Sequence, residues 1–319
     1  MKINIFWFRR DLRLDDNTGL INALNSGMPV LTLFIFDTNI TSELSYADPR
    51  ISFIYDSLSA INNELEISGS SLYIAKGDPL KVWKELMRSF NINAVYVNKD
   101  YEPYAVKRDS QIASLLLKNN IPLKCFKDQV IFEEGEILKS DNRPYTIFTP
   151  YKNKWLQQFS TDQLPAKNNL RDNYRNFYPS NFDFPSLEKK GFRHSSLKVR
   201  PFDLSVLKDY NIYRDLPSAD RTSYLGPHLR FGTVSIRNII GRAFKENRMF
   251  LNELIWREFF MQILSNFPYV VTGNFKTKYN EIDWRNNEKE FDMWCRGETG
   301  YPFVDAGMRQ LNETGYMHN

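Results

Sequence analysis

Short apolar segments alternate with amphipathic segments along the first 130 residues of the chain. The apolar segments are rich in β-branched and aromatic residues, which is typical of buried strands. Between them, apolar residues recur at helical spacing over 51–67, and the pair Asp78-Pro79 is a helix start signal. Strands that alternate with helices predict a doubly wound α/β domain with a parallel sheet, which binds ligands at the carboxyl ends of its strands. The predicted strands are 3–8, 30–36, 72–75, 94–97 and 123–126.

The pattern changes after residue 130. Residues 131–200 are rich in Asn, Asp, Pro and Ser and predict a long connector, although FTPYKNKW at 148–155 is too aromatic for a disordered segment. Past residue 200 the strand signals vanish, and helical spacing predicts helices over 235–247, 252–265 and 305–313. We therefore expect an α/β domain over 1–130, an interdomain connector over 131–200 and an all-α domain over 201–319.

The composition is that of a globular protein. The chain has 319 residues, of which 42% are hydrophobic and 25% charged, and this length suggests about two domains. No segment approaches the ~20 apolar residues that cross a bilayer. The N-terminal apolar run precedes Arg9 and Arg10, which is the reverse of a signal peptide. We expect a cytoplasmic monomer without a membrane partner, and two scattered cysteines and three histidines predict no metal site.

Aromatic and basic residues leave two questions open. Aromatic residues make up 15% of the chain, which fits either a large core or a protein that stacks on flat molecules. The net charge of +4 says little, but seven basic residues face only two acidic ones between 221 and 257. This basic run could contact phosphates or form an ordinary solvated surface. Its basic members are Arg221, Arg230, Arg237, Arg242, Lys245, Arg248 and Arg257.

The segment RTSYLGP at 221–227 places hydroxyl residues in front of a predicted helix. The free N–H groups and partial positive charge of a helix N-terminus suit a phosphate group, and Gly226 permits close approach of the backbone. Ordinary N-capping by Thr222 or Ser223 explains the same residues, and spacing alone favours that simpler alternative.

The segment NELIWREFF at 252–260 places four side chains on one helical face. Residues three and four positions apart are neighbours on a helix, so Glu253, Trp256, Arg257 and Phe260 come together. The indole could stack on a flat heterocycle while the carboxylate accepts a hydrogen bond from it. The alternative is an ion pair beside a packed tryptophan.

Six segments resemble the photolyase/cryptochrome family and span nearly the whole chain in the family's order. The likeness is greatest to the class I cyclobutane pyrimidine dimer photolyases. It implies an α/β antenna domain, a helical domain that binds FAD, and repair of damaged DNA by light-driven electron transfer from reduced FAD to a flipped-out dimer. The segments are FWFRRDLRLDDN (6–17), NKDYEPYAVKRD (98–109), YTIFTPYKNKW (145–155), TSYLGPHLRFGTVS (222–235), NELIWREFF (252–260) and TGYPFVDAGMRQLNETGYMHN (299–319).

The resemblance also implies which residues hold the cofactor. The family's TSxLS segment ends in a serine, whereas this chain has Gly226 at that position. One hydroxyl contact to the cofactor is therefore lost, and a backbone N–H remains. Trp284 matches the outermost tryptophan of the family's electron-transfer chain. The implied FAD contacts are Tyr210, Thr222, Ser223, Tyr224, Leu225 and Gly226.

For the lesion, the resemblance implies that Glu253 hydrogen-bonds the dimer and that Trp256 packs on it. Asn319 is the third implied catalytic residue. It stands where relatives that act on (6-4) photoproducts have His, so it favours the cyclobutane substrate. Arg214 matches a DNA-contacting arginine of the family, and we expect Arg257, at the end of the basic run 221–257, to contact DNA as well.

Four matters stay open at this stage. The family continues past MHN, so the chain resembles a C-terminally truncated member, and we expect this piece to hold FAD weakly. A cryptochrome, which is a blue-light receptor without repair activity, would share the fold and the FAD. A simple nucleotide-binding α/β module is disfavoured because the chain lacks GxGxxG and GxxxxGK[ST]. The second chromophore, a folate or a deazaflavin if one binds at all, is not determined.

Overall fold

A computed structural model describes residues 1–164 and 170–318 of the chain. Its N-terminal part is a five-stranded parallel sheet with the strand order β3-β2-β1-β4-β5. The fold class expected from the alternating pattern is confirmed, and each predicted strand is present. The strands are β1 (Lys2–Phe8), β2 (Val30–Asp37), β3 (Tyr73–Gly77), β4 (Asn91–Asn98) and β5 (Leu123–Phe126).

Both faces of the sheet are covered by helices, which explains why the strands are apolar on both sides. In β1, Ile3, Ile5 and Trp7 face one hydrophobic cluster, while Phe6 and Phe8 face the other. Helices α1 (Thr18–Leu24) and α3 (Pro49–Ile67) cover the face of the two phenylalanines. Helices α4 (Pro79–Ser89) and α5 (Pro103–Leu117) cover the opposite face, and a short helix α2 (Thr38–Thr41) follows β2.

The helix start predicted at Asp78-Pro79 is confirmed. The Asp78 carboxylate accepts a hydrogen bond from the Lys81 N–H, and Pro79 occupies the first helical position, where no N–H is needed. Asp48 caps α3 in the same way by accepting a bond from the Arg50 N–H.

The C-terminal part is helical. A hydrophobic cluster joins α6 (Phe148–Gln158), α9 (Ile236–Glu246) and α10 (Arg248–Asn266). Two shorter helices, α7 (Tyr210–Tyr213) and α8 (Leu225–Phe231), lie beside this cluster. The last two helices are α11 (Glu288–Arg296) and α12 (Pro302–Thr314), which pack mainly on each other.

The segment predicted as a connector packs on both hydrophobic cores. Ile131, Phe132 and Trp155 lie in the helical cluster, while Phe177 and Phe192 lie in a cluster of the α/β part. The first half of this segment therefore packs on the helical part, and its second half packs on the α/β part. The domain limits at 130 and 200 remain a prediction.

A buried carboxylate joins the two parts. Asp128 accepts hydrogen bonds from Arg13 at 2.8 Å and from Arg237 of α9 at 2.9 Å, and Arg237 also binds Asp16 at 2.9 Å. Burial disfavours ionisation of Asp128, but the two guanidinium groups outweigh it and hold the pKa of this carboxyl below its ordinary value.

Gly232 lies at the same junction and has no acceptable substitute. Its φ is +64°, and a Cβ atom there would lie 2.3 Å from the carbonyl oxygen of Arg10. The backbone of the two parts is in contact here, since the Leu12 N–H donates to the Phe231 carbonyl at 3.0 Å. Within the described part of the chain, no helix has the length and apolar character needed to cross a membrane.

Candidate active site

Helix α10 carries the two residues expected to contact a lesion. Asn247 caps its N-terminus by accepting bonds from Met249 and Phe250, each at 3.0 Å. The apolar stripe of α10 faces the helical core, and this leaves Glu253 and Trp256 half-buried on an adjoining face. The sequence-based pairing of these two side chains on one face is therefore realised.

Glu253 is held by Arg214, the arginine expected to contact DNA. The Arg214 Nη1 donates to Glu253 Oε1 at 2.8 Å, and this bond raises the pKa of the guanidinium. The two side chains are 28% and 35% exposed, so solvent and a ligand can both reach the pair. The ion-pair alternative from the sequence is present, and it involves two residues expected to bind DNA.

Trp256 belongs to a stack of aromatic rings. Its indole lies face to face with Phe148 of α6, with centroids 3.6 Å apart and an interplanar angle of 7°. Phe260, one turn further along α10, lies 5.4 Å from the indole at 22° and is 60% exposed. A flat aromatic surface is thus available beside the Glu253 carboxylate.

Tyr210 lies next to this pair, at the start of α7. Its ring meets Phe250 of α10 edge-on at 5.0 Å, and the Arg214 guanidinium lies 5.3 Å from the ring centroid. Burial and the nearby Glu253 carboxylate raise the pKa of the phenol, so Tyr210 acts as a neutral hydrogen-bonding group. The predicted flavin contact and the predicted lesion contacts therefore share one region.

The N-capping alternative for Thr222 and Ser223 is wrong. Tyr224 occupies the N-cap of α8 in a left-handed conformation, with φ of +51°, and no side chain caps this helix. The hydroxyl of Thr222 instead accepts a bond from the phenol of Tyr316 at 3.0 Å. Capping fails because the chain turns one residue later than the sequence suggests.

This segment fits a phosphate group. The first N–H groups of α8 have no side-chain partner, and a Cβ atom at Gly226 would meet nothing within 4 Å. In the part of the chain that is described, the Ser223 hydroxyl forms no hydrogen bond, and the Thr222 hydroxyl lies beside the phenols of Tyr316 and Tyr224. Open N–H groups and two hydroxyl donors are the donor set that a pyrophosphate requires.

Arg257 is directed away from Glu253 and Trp256. Its guanidinium donates to the Gln129 carbonyl at 2.8 Å and points toward the α/β part. Burial lowers the pKa of Arg257 to about 10, although the neighbouring Glu258 opposes this effect. Its expected contact with DNA stays a prediction.

The rest of the basic run is also largely paired. These partners turn most of the run into structural contacts, several of them between the two parts of the molecule. Arg221, Arg230 and Arg242 are exposed and fit the solvated-surface alternative, whereas Arg237 is largely buried between the two parts. The pairs are Arg221–Asp209, Arg230–Glu102, Arg237–Asp16, Arg237–Asp128 and Arg242–Glu246.

Two further predicted site residues are not brought into this region by the described structure. Trp284 is 67% exposed in the loop before α11. Its assignment to electron transfer stays a prediction. Asn319 lies outside the described residues, so its expected role is likewise untested.

Sequence reasoning missed Glu258, which is fully buried in α10. Its carboxylate accepts bonds from the Ile131 N–H at 2.7 Å and from Trp155 Nε1 at 2.6 Å, and Phe132 and Tyr151 donate at 3.2 and 3.3 Å. Burial raises the pKa of Glu258 to about 7, although these hydrogen bonds act to lower it. The aromatic segment 148–155 was the only sequence signal for this network, because its donors lie more than 100 positions away.

A cavity of about 680 Å³ opens at the carboxyl ends of β1 and β2, where the doubly wound fold predicts a ligand. Phe34, Ile51 and Ile54 form part of its apolar wall, and Arg9 and Arg10 also line it. Residues of the helical part complete the wall, and they include Tyr224 and Gly226 of the segment that fits a phosphate group.

The comparisons identify the class of protein to which this fold and site belong. Residues 4–169 match the family model described as DNA photolyase, and residues 250–319 match the FAD binding domain of DNA photolyase. The chain therefore belongs to the photolyase family, and its helical part includes an FAD-binding domain.

Named relatives agree with this assignment. Deoxyribodipyrimidine photo-lyases from Synechococcus sp. and Halobacterium salinarum are 30% and 31% identical to the chain. The alignments cover 99% of this chain and 71% and 73% of those relatives, so the chain spans somewhat over two thirds of their length.

Solved structures show the same fold. A class III photolyase from Agrobacterium tumefaciens superposes with a TM-score of 0.84 at 28% identity, over 100% of this chain and 70% of that one. A photolyase from Sulfolobus tokodaii that holds two FAD molecules gives 0.83 at 32% identity, over 100% and 72%. A cryptochrome from Synechocystis gives 0.79 at 21% identity, over 100% and 73%, which shows a shared fold only.

Proposed function

We propose that the protein repairs cyclobutane pyrimidine dimers in DNA under blue light, as a deoxyribodipyrimidine photo-lyase. The observation that carries this proposal is the pairing on α10 of an accessible carboxylate, Glu253, with a fixed indole, Trp256. Such a pair suits a flat, hydrogen-bonding lesion, whereas a light receptor that repairs nothing has no need of it. The names of the relatives support the same activity.

The chain's own residues would bind and orient both ligands. Thr222, Ser223 and the open N–H groups of α8 would hold the phosphates of FAD, and Tyr210 would lie against the cofactor. When bound and reduced, FAD supplies the light absorption and the electron. The protein supplies position and electrostatics around it.

At the lesion, Trp256 would stack on the flipped-out dimer and Glu253 would hydrogen-bond to it. Arg214 now binds Glu253, so a lesion that takes this carboxylate would release Arg214 toward the DNA backbone. A damaged, poorly paired base unstacks at lower cost than a normal one, which gives the enzyme part of its selectivity. Asn319 would complete the set of residues at the lesion.

A second chromophore would occupy the cavity at the strand ends. Its apolar wall suits a flat ring system, whereas Arg9 and Arg10 are paired with Asp109, Asp100 and Glu102. The solved relative from Sulfolobus tokodaii holds a second FAD, described as a light-harvesting cofactor. A folate, a deazaflavin or a second flavin would each show its own absorption band in the purified protein.

The test compares dimer binding and repair in wild type and two variants. Trp256→Ala should weaken binding to dimer-containing DNA by roughly 1–3 kcal/mol, the range for one lost base–aromatic stack. Binding to undamaged DNA should hardly change, because backbone contacts carry that affinity. Glu253→Ala should lower both dimer affinity and the number of dimers repaired per absorbed photon.

The matched control is Glu246→Ala. Glu246 is also bound by an arginine at 2.8 Å, but on α9 and away from Trp256. It should leave affinity and repair yield at the wild-type level, and flavin content should be equal in all variants. Wild-type protein that binds FAD but does not distinguish damaged from normal DNA would rule out repair and favour the blue-light receptor.

A further inference from the structure

The aromatic segment 148–155 has no part in the function proposed so far, yet its first residue touches the lesion-binding tryptophan. The Phe148 ring lies parallel to the Trp256 indole, with centroids 3.6 Å apart. This is the closest ring pair in the described part of the molecule. One face of the indole is therefore already occupied by the protein.

Phe148 cannot easily move away from this position. It is the first residue of α6, and Pro150 occupies the first turn, where the backbone N–H groups have no intrahelical partner. The Phe148 ring also meets Phe259 at 5.8 Å and 71°. Lys152, one turn later, places its ammonium group 5.9 Å from the Phe148 ring centroid.

The same helix is fastened to α10 through Glu258. Tyr151 and Trp155 lie three and seven residues after Phe148, on the same helical face, and both donate to the buried Glu258 carboxylate. Glu258 and Trp256 are two residues apart on α10. The hydrogen bonds to Glu258 thus fix the distance between the Phe148 ring and the indole.

We propose that Phe148 is a positioning residue that holds the Trp256 indole in one orientation and thereby increases the preference for a flipped-out dimer. This inference rests on the proposed repair function. An indole that is already held in one orientation loses no conformational entropy when the lesion binds. The free energy of binding then contains no cost for immobilising that side chain. Only the remaining surface of the indole is offered to the lesion.

The test measures the ratio of affinities for dimer-containing and undamaged DNA. Phe148→Leu keeps an apolar side chain but removes the flat ring. This ratio should fall roughly 2- to 10-fold, the range that corresponds to ordering one side chain. Phe148→Tyr keeps the ring and should restore the wild-type ratio.

A double-mutant cycle separates positioning from general damage. In a Trp256→Ala background, Phe148→Leu should cause no further fall, because the two residues act through one contact. The matched control is Phe126→Leu in β5. Phe126 also stacks face to face on an aromatic ring, that of Tyr96, at 5.9 Å and 2°, but lies in the α/β part, so the ratio should not change.

Two results would contradict the role of Phe148 without contradicting the repair function. One is a Phe148→Leu variant that keeps the full ratio while Trp256→Ala loses it. The other is a Phe148→Leu effect that persists in the Trp256→Ala background or is equalled by Phe126→Leu. Wild-type protein without any preference for the dimer would instead overturn the repair function, together with a role for Phe148 in lesion choice.

Discussion

The α/β part and the helical part differ in how far each encloses a ligand site. At the strand ends of the sheet, apolar side chains and arginines line a cavity of about 680 Å³. In the helical part, Tyr210, Glu253 and Trp256 lie on a half-buried surface. The contrast arises because the crossovers of the parallel sheet bring successive strand ends to one edge, where residues of the helical part complete the cavity wall, whereas the second surface lies on α7 and α10 at the side of the helical core.

The end of the helical part makes the contrast sharper. Among the apolar side chains of 267–318, Met308 alone is fully buried. Several large aromatic side chains of this segment are exposed, and local stability is expected to be lowest where few apolar contacts form. The exposed residues include Trp284, Phe291, Trp294, Tyr301 and Phe303.

The largest expected effect concerns the junction that makes the two parts one unit. Asp128→Ala leaves Arg13 and Arg237 buried without their shared carboxylate, which should lower the free energy of unfolding by about 3–5 kcal/mol. Urea unfolding followed by both fluorescence and circular dichroism measures it. Asp141→Ala is the control, since that exposed ion pair with Arg143 should contribute under about 1 kcal/mol. Equal losses in the two variants would contradict a coupling role for Asp128.

The next effect concerns the pH dependence of the helical core. The pKa of Glu258 is about 7 in the folded protein against an ordinary value of 4.5, so the folded state binds this proton more tightly than the unfolded chain. Its contribution to stability therefore falls as pH rises from about 4.5 to about 7, by about 3 kcal/mol at about 1.4 kcal/mol per pKa unit.

Glu258→Gln removes this titration. The stability advantage of wild type over the variant should be largest near pH ~5 and smallest near pH ~8. Unfolding curves at a series of pH values give that difference directly. A difference that stays constant, or that grows with pH, would mean that Glu258 titrates normally and that its four donors keep it ionised.

The smallest expected effect concerns α12. Phe303 is 78% exposed, so Phe303→Ala should change the hydrogen-exchange protection of α12 by less than about 0.5 kcal/mol. Met308→Ala, on the same helix but buried, should lower it by about 2 kcal/mol or more. A large loss with Phe303→Ala would show that a partner or a further segment covers this face in solution.

Much of the fold follows from local patterns. The strands of the sheet could be predicted because a buried strand needs only a short apolar run, and Asp78-Pro79 marks a helix start within two residues. Helical spacing alone placed Glu253 and Trp256 on one face, and the roles of these two residues and of Tyr210 stay predictions from the family resemblance.

Only the tertiary structure shows which side chains come into contact when they lie far apart in the sequence. The sequence alone determined that 221–257 is basic, but not that Arg237 binds Asp16, 221 positions away, or that Arg257 turns inward to a backbone carbonyl. It likewise determined an aromatic segment at 148–155, but not that Phe148 stacks on Trp256. Periodicity and capping depend on neighbours within one or two turns, so the sequence specifies them directly. The partner of a charge or a ring depends on how distant elements pack, and a linear pattern does not record that.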